Sequence, residues 1–213
     1  MELVTALTRR RMVRAFEPTP LPSDELDDVL DQARRAPSAG NTQAIGFVVL
    51  DSPDATALYW DTTLPGERRT GFRWQGLLDA PALVLVTVEP EAYVARYGER
   101  DKAATGLGAS EEAWVVPYWW VDAGAVVQNL LLLAVDRAWG ACLFGPFDHE
   151  PALRQALGVG ESTRLVATVA LGLALPDEPG RSVDRARPAL SDVITRPLAG
   201  RRGAGPAPGE EAR

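Results

Sequence analysis

The stretch RRAPSAGNTQAIGFVVL, residues 34–50, joins a helix to a strand and decides how the rest of the chain is interpreted. The amphipathic pattern before it predicts a helix that ends ahead of Pro37, because a proline disfavours helical geometry in the preceding residue. The apolar run that closes the stretch predicts a buried strand. Between the two stand a hydroxyl and two amides, Ser38, Asn41 and Gln43, in the crevice between a helix and a core strand.

Composition indicates a globular protein large enough to bury a sizeable core. The 213 residues carry 46% apolar and 24% charged side chains and a net charge of −7. An acidic chain is a poor match for nucleic acid, which needs a basic excess to neutralise its phosphates. The single cysteine, Cys142, excludes an internal disulfide and is typical of a reducing compartment. We therefore expect a cytoplasmic protein with neither a membrane nor a nucleic-acid partner.

The single histidine, His149, argues against side-chain hydrolysis and zinc chemistry, which need a histidine beside specific partners. We expect His149 to face solvent, and we expect no metal site. The chain also lacks the G-x-x-x-x-G-K-[ST] motif of P-loop nucleotide binding. If the protein is an enzyme, a bound cofactor is expected to supply the chemistry.

Periodicity predicts an α+β domain over residues 1–198, built on a small sheet. Strands are expected at Ile45–Leu50, Ala82–Val88, Ala141–Phe144 and Leu165–Leu175. Helices are expected over Glu2–Arg11, after Ser23 as N-cap, near Pro53–Tyr59, near Glu67–Leu78, over Asp122–Trp139 with Gly140 as its stop, and over Pro151–Leu157. Residues 96–120 are expected to be a lid, a binding loop or a disordered segment, and residues 199–213 a disordered tail.

Positive charge is concentrated at two places in this acidic chain. One is TRRRMVRAF, residues 8–16, with Arg9, Arg10, Arg11 and Arg14, and the other is RARP, with Arg185 and Arg187. A guanidinium fork matches a phosphate bidentately, so arginines from distant segments predict a phosphate site. A solvated basic face is the alternative for either cluster taken alone.

The amides of the opening stretch complement this phosphate site. An amide donates and accepts at once, which suits the edge of a pyrimidine-like ring or a ribityl chain. A ligand with a phosphate at one end and a ring that hydrogen-bonds to amides at the other is a mononucleotide. Because the chain lacks catalytic side chains, the redox mononucleotide FMN is favoured. The alternative is that Ser38, Asn41 and Gln43 only cap loop backbone.

Several motifs together resemble the FMN-dependent nitroreductase family. They are RRMVRAF, VLDQARRAPSAGNTQ, LLDAPALVLV, DAGAVVQNLLLLAVDRAWGACLFGPF, VALGLALP and RARPALSDVI, spread in family order from about Leu7 to Ile194. The resemblance implies a nitroreductase-like fold, with a small, mostly antiparallel sheet wrapped by helices, in an intertwined homodimer with two flavins at its interface. It also implies a ping-pong reaction in which NADPH or NADH reduces FMN and an electron-poor acceptor, such as a nitro compound, quinone or enone, is reduced next.

The resemblance assigns roles by position. The FMN phosphate falls to Arg10, Arg11, Met12 and Arg14, where Met12 replaces a hydroxyl residue common in relatives, and to Arg185 and Arg187. Ring and ribityl contacts fall to Pro37, Ser38, Asn41 and Gln43, and the strand beside the ring to Leu143, Phe144 and Gly145. Ala44, Ile45 and Gly145 depart from better-known relatives, which puts simple nitroaromatic acceptors in doubt.

The aromatic end of the long loop is the candidate acceptor site, with Trp114, Tyr118, Trp119 and Trp120 as substrate-binding residues. Arg73 is a candidate for charge near the ring or a surface helical arginine, and Tyr118 is a candidate proton donor or a packing residue. Two other functions stay open at this point. One is a biosynthetic flavin-dependent reductase or dehydrogenase of a specialised metabolite, and the other is a flavin-binding protein without turnover.

Overall fold

The computed structural model describes residues 1–178, 180 and 183–196. The chain divides into two units, Met1–Glu178 and Pro179–Arg213, and each is treated by itself. The second unit contains a short helix, Leu190–Val193, with exposed side chains. The tail expected over residues 199–213 lies outside the described residues.

A four-stranded antiparallel sheet forms the centre of the first unit. Its strands are β1 (Ile45–Leu50), β2 (Ala82–Val88), β3 (Gly140–Phe144) and β4 (Arg164–Gly172). The strand order is β1-β2-β4-β3, so β1 and β3 are the two edges of this sheet. Ile45 pairs with Val88 at one end of the sheet, and Phe144 pairs with Thr168. Every residue of β2 is buried, because helices cover both faces of the sheet.

The helices and turns of the first unit follow the chain around the sheet. The α-helices are α1 (Leu3–Arg9), α2 (Ser23–Ala33), α3 (Pro53–Thr63), α4 (Glu67–Thr70), α5 (Pro90–Tyr97), α6 (Tyr118–Asp136) and α7 (Glu150–Ala156). Short 3-10 turns occupy Ala39–Asn41, Gln75–Leu77, Ala103–Thr105, Glu111–Ala113 and Phe147–His149.

The two faces of β2 belong to two apolar cores. Val84 and Val86 pack with α2 and α6, whereas Leu83 and Leu85 pack with α3 and α7. This alternation follows from the period of two along a strand. By length and composition α6 passes as a candidate membrane span, yet most of its buried side chains pack in the first core. We therefore interpret α6 as a core helix, although Trp120 and Val121 are exposed and the helix is less completely covered than the sequence predicts.

The bounds of the strands agree closely with the predicted bounds, whereas the N-cap of α2 differs from the predicted one. β1 and β2 have the predicted bounds, and β3 and β4 each begin one residue earlier than predicted. β4 ends at Gly172, although Ala174 still forms an isolated bridge with Phe16. The prediction of Ser23 as N-cap is wrong, because α2 begins at Ser23 and Pro22 precedes it without a side-chain cap.

Two helix predictions are wrong in extent, and one helix was not predicted. The helix expected near Glu67–Leu78 is only α4, because the Gln75 side-chain amide donates to the carbonyls of the residues where that helix ends. The central helix lies about one turn earlier than predicted, since Pro117 starts it and Ala138, not Gly140, takes the left-handed conformation after it (φ 57°). The expected irregular segment contains the end of α5, an unpredicted helix that begins at Pro90.

Candidate functional site

The arginine segment, residues 10–17, lies beside β3. The Val13 backbone N–H donates to the Ala141 carbonyl at 2.9 Å, and Phe16 forms its bridge with Ala174 just past the end of β4. Val13 and Phe16 are buried in the second core. Arg14, between these two anchors, is half-buried, so the fold fixes its backbone while part of its side chain stays accessible.

A cavity of about 330 Å³ brings Arg14 together with the end of β3, and we call it the arginine cavity. Its lining residues are Arg14, Tyr59, Trp60, Thr63, Leu64, Phe72, Trp74, Leu77, Cys142, Leu143, Phe144, Gly145, Pro146, Phe147 and His149. Four predicted cofactor contacts therefore meet here: Arg14, Leu143, Phe144 and Gly145. The Phe144 ring stacks on Trp60 with centroids 5.9 Å apart, which gives the cavity a flat aromatic wall.

Arg14 keeps most of its hydrogen-bonding capacity. Within the described residues its guanidinium donates one hydrogen bond, to the Met12 carbonyl at 3.3 Å, and it lies over the Trp74 ring at 5.1 Å. Arg73 lies over the same ring at 5.3 Å and pairs with Glu178 at 3.4 Å. A guanidinium has five N–H groups, so Arg14 can still bind an anion bidentately.

Asp177 organises the backbone below this guanidinium. Its carboxylate accepts from the Arg14 backbone N–H at 2.7 Å and pairs with Arg11 at 2.5 Å. Burial acts to raise the pKa of Asp177, but the hydrogen bonds from Arg11 and from the Arg14 backbone outweigh it, so the pKa is lowered. Arg11 is thus tied to a carboxylate, whereas the Arg10 side chain has no hydrogen bond or ion pair with any residue that the structure describes.

Other predicted groups have distinct places. Met12 packs against both cores, and its Sδ accepts from the Leu143 backbone N–H at 3.3 Å. Burial raises the pKa of Cys142 to about 11, so its thiol is protonated at neutral pH. His149 lines the arginine cavity with about a third of its side chain exposed, so the expectation that it faces solvent is only partly met.

The amide loop, residues 37–43, uses some of its polar groups internally. Ser38 Oγ accepts from the Gln43 backbone N–H at 3.0 Å, and Gln43 Nε2 donates to Asn41 Oδ1 at 2.9 Å. Gly40, Asn41 and Gln43 all have positive φ, and the side chains of Asn41 and Gln43 are exposed. Ser38 therefore caps loop backbone, as the alternative to ligand binding predicts. Asn41 still presents an amide N–H₂ group and Gln43 an amide oxygen.

An aromatic cavity of about 550 Å³ lies against this loop. Its lining residues are Ala39, Tyr97, Leu107, Ala113, Trp114, Val115, Val116 and Tyr118. Two predicted acceptor contacts, Trp114 and Tyr118, line it, and Trp120 is exposed outside that lining. Trp119 is 3% exposed, within 6.0 Å of the Tyr93 ring and 5.5 Å of the Trp114 ring, so it is chiefly a packing residue.

The two cavities adjoin opposite edges of the sheet. The amide loop leads into β1, and the arginine cavity contains the end of β3. Three strand spacings separate these edges, about 14 Å. None of the described residues lines both cavities. Arg185 and Arg187 are exposed residues of the second unit and are described only there.

This fold corresponds to a known class of protein. Residues 7–173 match the model of the Nitroreductase family. The chain belongs to the nitroreductase family, and it is an oxidoreductase.

The relatives agree with this assignment. The 4-nitrobenzoate reductase of Nocardioides sp. (strain LMS-CY) is 31% identical over 200 residues, which cover 81% of either chain. An Archaeoglobus fulgidus protein named as an NADH dehydrogenase or NAD(P)H nitroreductase is 25% identical over 176 residues, or 80% of this chain and 84% of that one. A crystal structure from Exiguobacterium sibiricum, described as a nitroreductase in complex with FMN, has a TM-score of 0.71 at 19% identity and covers 92% of this chain and 98% of that chain. The predicted fold is confirmed.

Sequence reasoning missed several residues of the arginine cavity. Trp60, Phe72 and Trp74 lie in segments without a motif, and only the folded chain brings them beside Arg14. The indole N–H groups of Trp60 and Trp74 are buried without an acceptor among the described residues. Unpaired buried donors are uncommon in folded proteins.

Proposed function

We propose that the protein is an FMN-dependent NAD(P)H oxidoreductase that reduces an uncharged, flat, electron-poor acceptor in a ping-pong reaction. The observation that carries the proposal is the arginine cavity, where a guanidinium with spare donors shares one chamber with the end of β3 and a flat aromatic wall. Family membership and the named activities of the relatives support the same cofactor and electron donor.

The residues of the arginine cavity fit FMN. Arg14 would hold the phosphate, because a half-buried guanidinium over an indole ring binds an anion in a fixed position. Leu143, Phe144 and Gly145 would lie along the ring, at the edge strand where backbone groups remain available. When bound, FMN supplies the hydride chemistry that the side chains of this cavity lack.

The amide loop of a second copy of the chain would hydrogen-bond to the flavin ring. Within one copy the loop and the arginine cavity flank opposite edges of the packed sheet, so we infer that the loop that meets the flavin comes from a partner. The exposed amide groups of Asn41 and Gln43 then suit the carbonyl and ring-nitrogen edge of the flavin. A homodimer with two equivalent sites satisfies this requirement.

The aromatic cavity favours an acceptor without charge. No charged side chain is among its described lining residues, and nearby Arg96 is already paired with Asp101 at 2.8 and 2.9 Å. A carboxylate placed there would lose its hydration without gaining an ion pair, which costs free energy. Nitrobenzene, a small quinone or an uncharged enone would meet no such penalty.

Absorbance and reduction of the purified protein test the proposal. We expect the visible absorbance bands of an oxidised flavin in the purified protein, or their appearance after FMN is added and excess removed. Anaerobic NADPH or NADH should then bleach them, and menadione should restore them. A protein that retains no flavin after reconstitution would refute the proposal. A protein that binds FMN but is not bleached by either nucleotide would instead be a flavin-binding protein without turnover.

A further inference from the structure

A buried carboxylate near the start of α6 has no part in the function proposed above. Asp122 is 6% exposed, although carboxylates are rarely buried without partners. Its Oδ2 atom accepts two hydrogen bonds, from the Tyr93 hydroxyl at 2.9 Å and from the Ala39 backbone N–H at 2.8 Å. Burying a charge costs free energy that these donors offset, and an apolar side chain would avoid the cost altogether. We therefore expect the role of this carboxylate to involve the two groups that donate to it, the Tyr93 hydroxyl and the Ala39 N–H.

One of those partners belongs to the amide loop. Ala39 begins the 3-10 turn between Ser38 and Asn41, and its N–H points at Asp122 across 83 positions of sequence. A hydrogen bond between a loop amide and a helix side chain fixes the loop relative to that helix. The bond is charge-assisted and shielded from water, which makes it stronger than the average hydrogen bond.

The other side of the loop is held by α5. Arg96 Nε donates to the Gly40 carbonyl at 2.9 Å, while the same guanidinium pairs with Asp101. The Tyr97 ring packs so closely that a Cβ on Gly40 would lie 2.8 Å from its Cε2 atom. The loop backbone is thus clamped between α5 and α6, with Tyr93 of α5 joined to the same carboxylate.

Tyr93 stays a hydrogen-bond donor throughout the neutral range. Burial, followed by the hydrogen bond and the charge of Asp122, raises the pKa of Tyr93 above its ordinary value. The phenol therefore remains protonated and continues to donate to the carboxylate throughout the neutral range.

We propose that Asp122 is a positioning residue for flavin binding: it holds the amide loop in the conformation in which Asn41 and Gln43 meet the ring, without touching the flavin itself. This inference rests on the proposed function, because it requires the loop to contact FMN. A residue that acts on the ring side affects binding whether or not the ligand carries a phosphate. That property separates Asp122 from the phosphate-binding arginines.

The test measures the dissociation constants of FMN and of riboflavin, which lacks the phosphate, by quenching of flavin fluorescence. Asp122→Ala should weaken both ligands by about tenfold or more and leave their affinity ratio unchanged. Asp122→Asn keeps the shape and an acceptor, so its loss should be smaller, and Tyr93→Phe should cost least because the bond to Ala39 remains. Hydrogen exchange of the Ala39 amide should accelerate in Asp122→Ala.

Asn129→Ala is the matched control. Asn129 lies on the same helix and donates to the Ala33 carbonyl at 3.2 Å, so the variant also removes one α6 side-chain bond to backbone. It should leave both flavin affinities unchanged.

Three results would overturn the inference. They are a folded Asp122→Ala protein with wild-type affinity for both flavins, a loss confined to FMN, and an equal loss of both affinities in Asn129→Ala. Circular dichroism and the melting temperature establish folding, and if Asp122→Ala does not fold, Asp122→Asn and Tyr93→Phe carry the same test. A wild-type protein that binds no flavin refutes the proposed function instead, so the two failures are distinguishable.

Discussion

In the proposed function, the arginine segment and the amide loop bind the flavin by different physical means. The segment is fixed by strand-like hydrogen bonds to β3 and to the residues just past β4, and Arg14 extends from it with spare donors. The loop has positive φ at three positions and is held by side chains of α5 and α6. The proposed phosphate contact would therefore come from a rigid sheet edge, and the proposed ring contacts from a loop whose shape depends on side chains of α5 and α6. The two regions therefore respond differently to mutation.

The largest expected effect lies in the arginine segment. Arg14→Ala should weaken FMN binding about a hundredfold, roughly 2.7 kcal/mol, because hydrogen bonds to a charged group are lost. Riboflavin binding should change little, since it has no phosphate. Both constants are measured by fluorescence quenching. Arg9→Ala removes an exposed arginine five positions earlier and serves as the control. Equal losses for the two ligands would show that Arg14 does not contact the phosphate.

A glycine substitution probes the strain in the amide loop. Gly40→Ala should lower the free energy of unfolding by about 2–3 kcal/mol, because φ is +62° and the new Cβ meets the Tyr97 ring. Gly106→Ala is the control, since φ is +74° but open space surrounds the site, and its cost should be about 1 kcal/mol. Urea denaturation measures both. Equal costs would mean that the contact with Tyr97 contributes nothing.

A new charge in the aromatic cavity should change acceptor preference. Val116→Lys offers an ammonium to a carboxylate, so the ratio of kcat/KM for 4-nitrobenzoate over nitrobenzene should rise about fivefold, roughly 1 kcal/mol. Val116 is about half exposed, so the change should not disturb the core. Val116→Gln, which is polar without charge, should leave the ratio as it is in the wild type. A ratio that is the same in all three proteins would place acceptor binding elsewhere.

The smallest effect concerns the pH dependence of stability. The folded-state pKa of Asp177 is lowered, so this carboxylate stabilises the fold above its unfolded pKa, and the contribution is lost as pH falls through the lowered folded value. Asp177→Asn should therefore reduce the loss of stability on acidification. At neutral pH it should lower the free energy of unfolding by about 1 kcal/mol or less, since Arg11 is largely exposed. Thermal unfolding from pH 7 to acid measures it. An unchanged loss of stability on acidification would contradict the assignment.

Local sequence signals predict the strands of this fold better than they predict its site. Ile45–Leu50 and Ala82–Val88 are recognisable because continuous apolar runs identify buried strands. The long aromatic segment is harder, since Trp119 packs in a core while Trp120 is exposed, and the pattern does not separate the two. The helix that begins at Pro90 carries an ordinary start signal, a proline in its first turn.

The site shows the same division. Arg14 and the end of β3 are predictable because the segment and the strand each belong to a motif, and the structure brings them into one cavity. Trp74 and Asp122 are not predictable in their roles, since each acts on a residue distant in sequence through a contact that only folding creates. The ligand contacts of the exposed Asn41 and Gln43 amides stay a prediction, because the proposal places them in a pocket shared with a partner subunit.

The placement of the two regions at opposite edges of one sheet has a genetic consequence if the protein forms the proposed homodimer. Suppose one subunit carries Arg14→Ala and its partner carries Asp122→Ala. One pocket of that mixed dimer then receives both lesions, and the other receives an intact guanidinium from one subunit and an intact loop from the other. Two alleles that are each impaired alone would therefore complement one another when co-expressed, with half of the pockets in every mixed dimer restored.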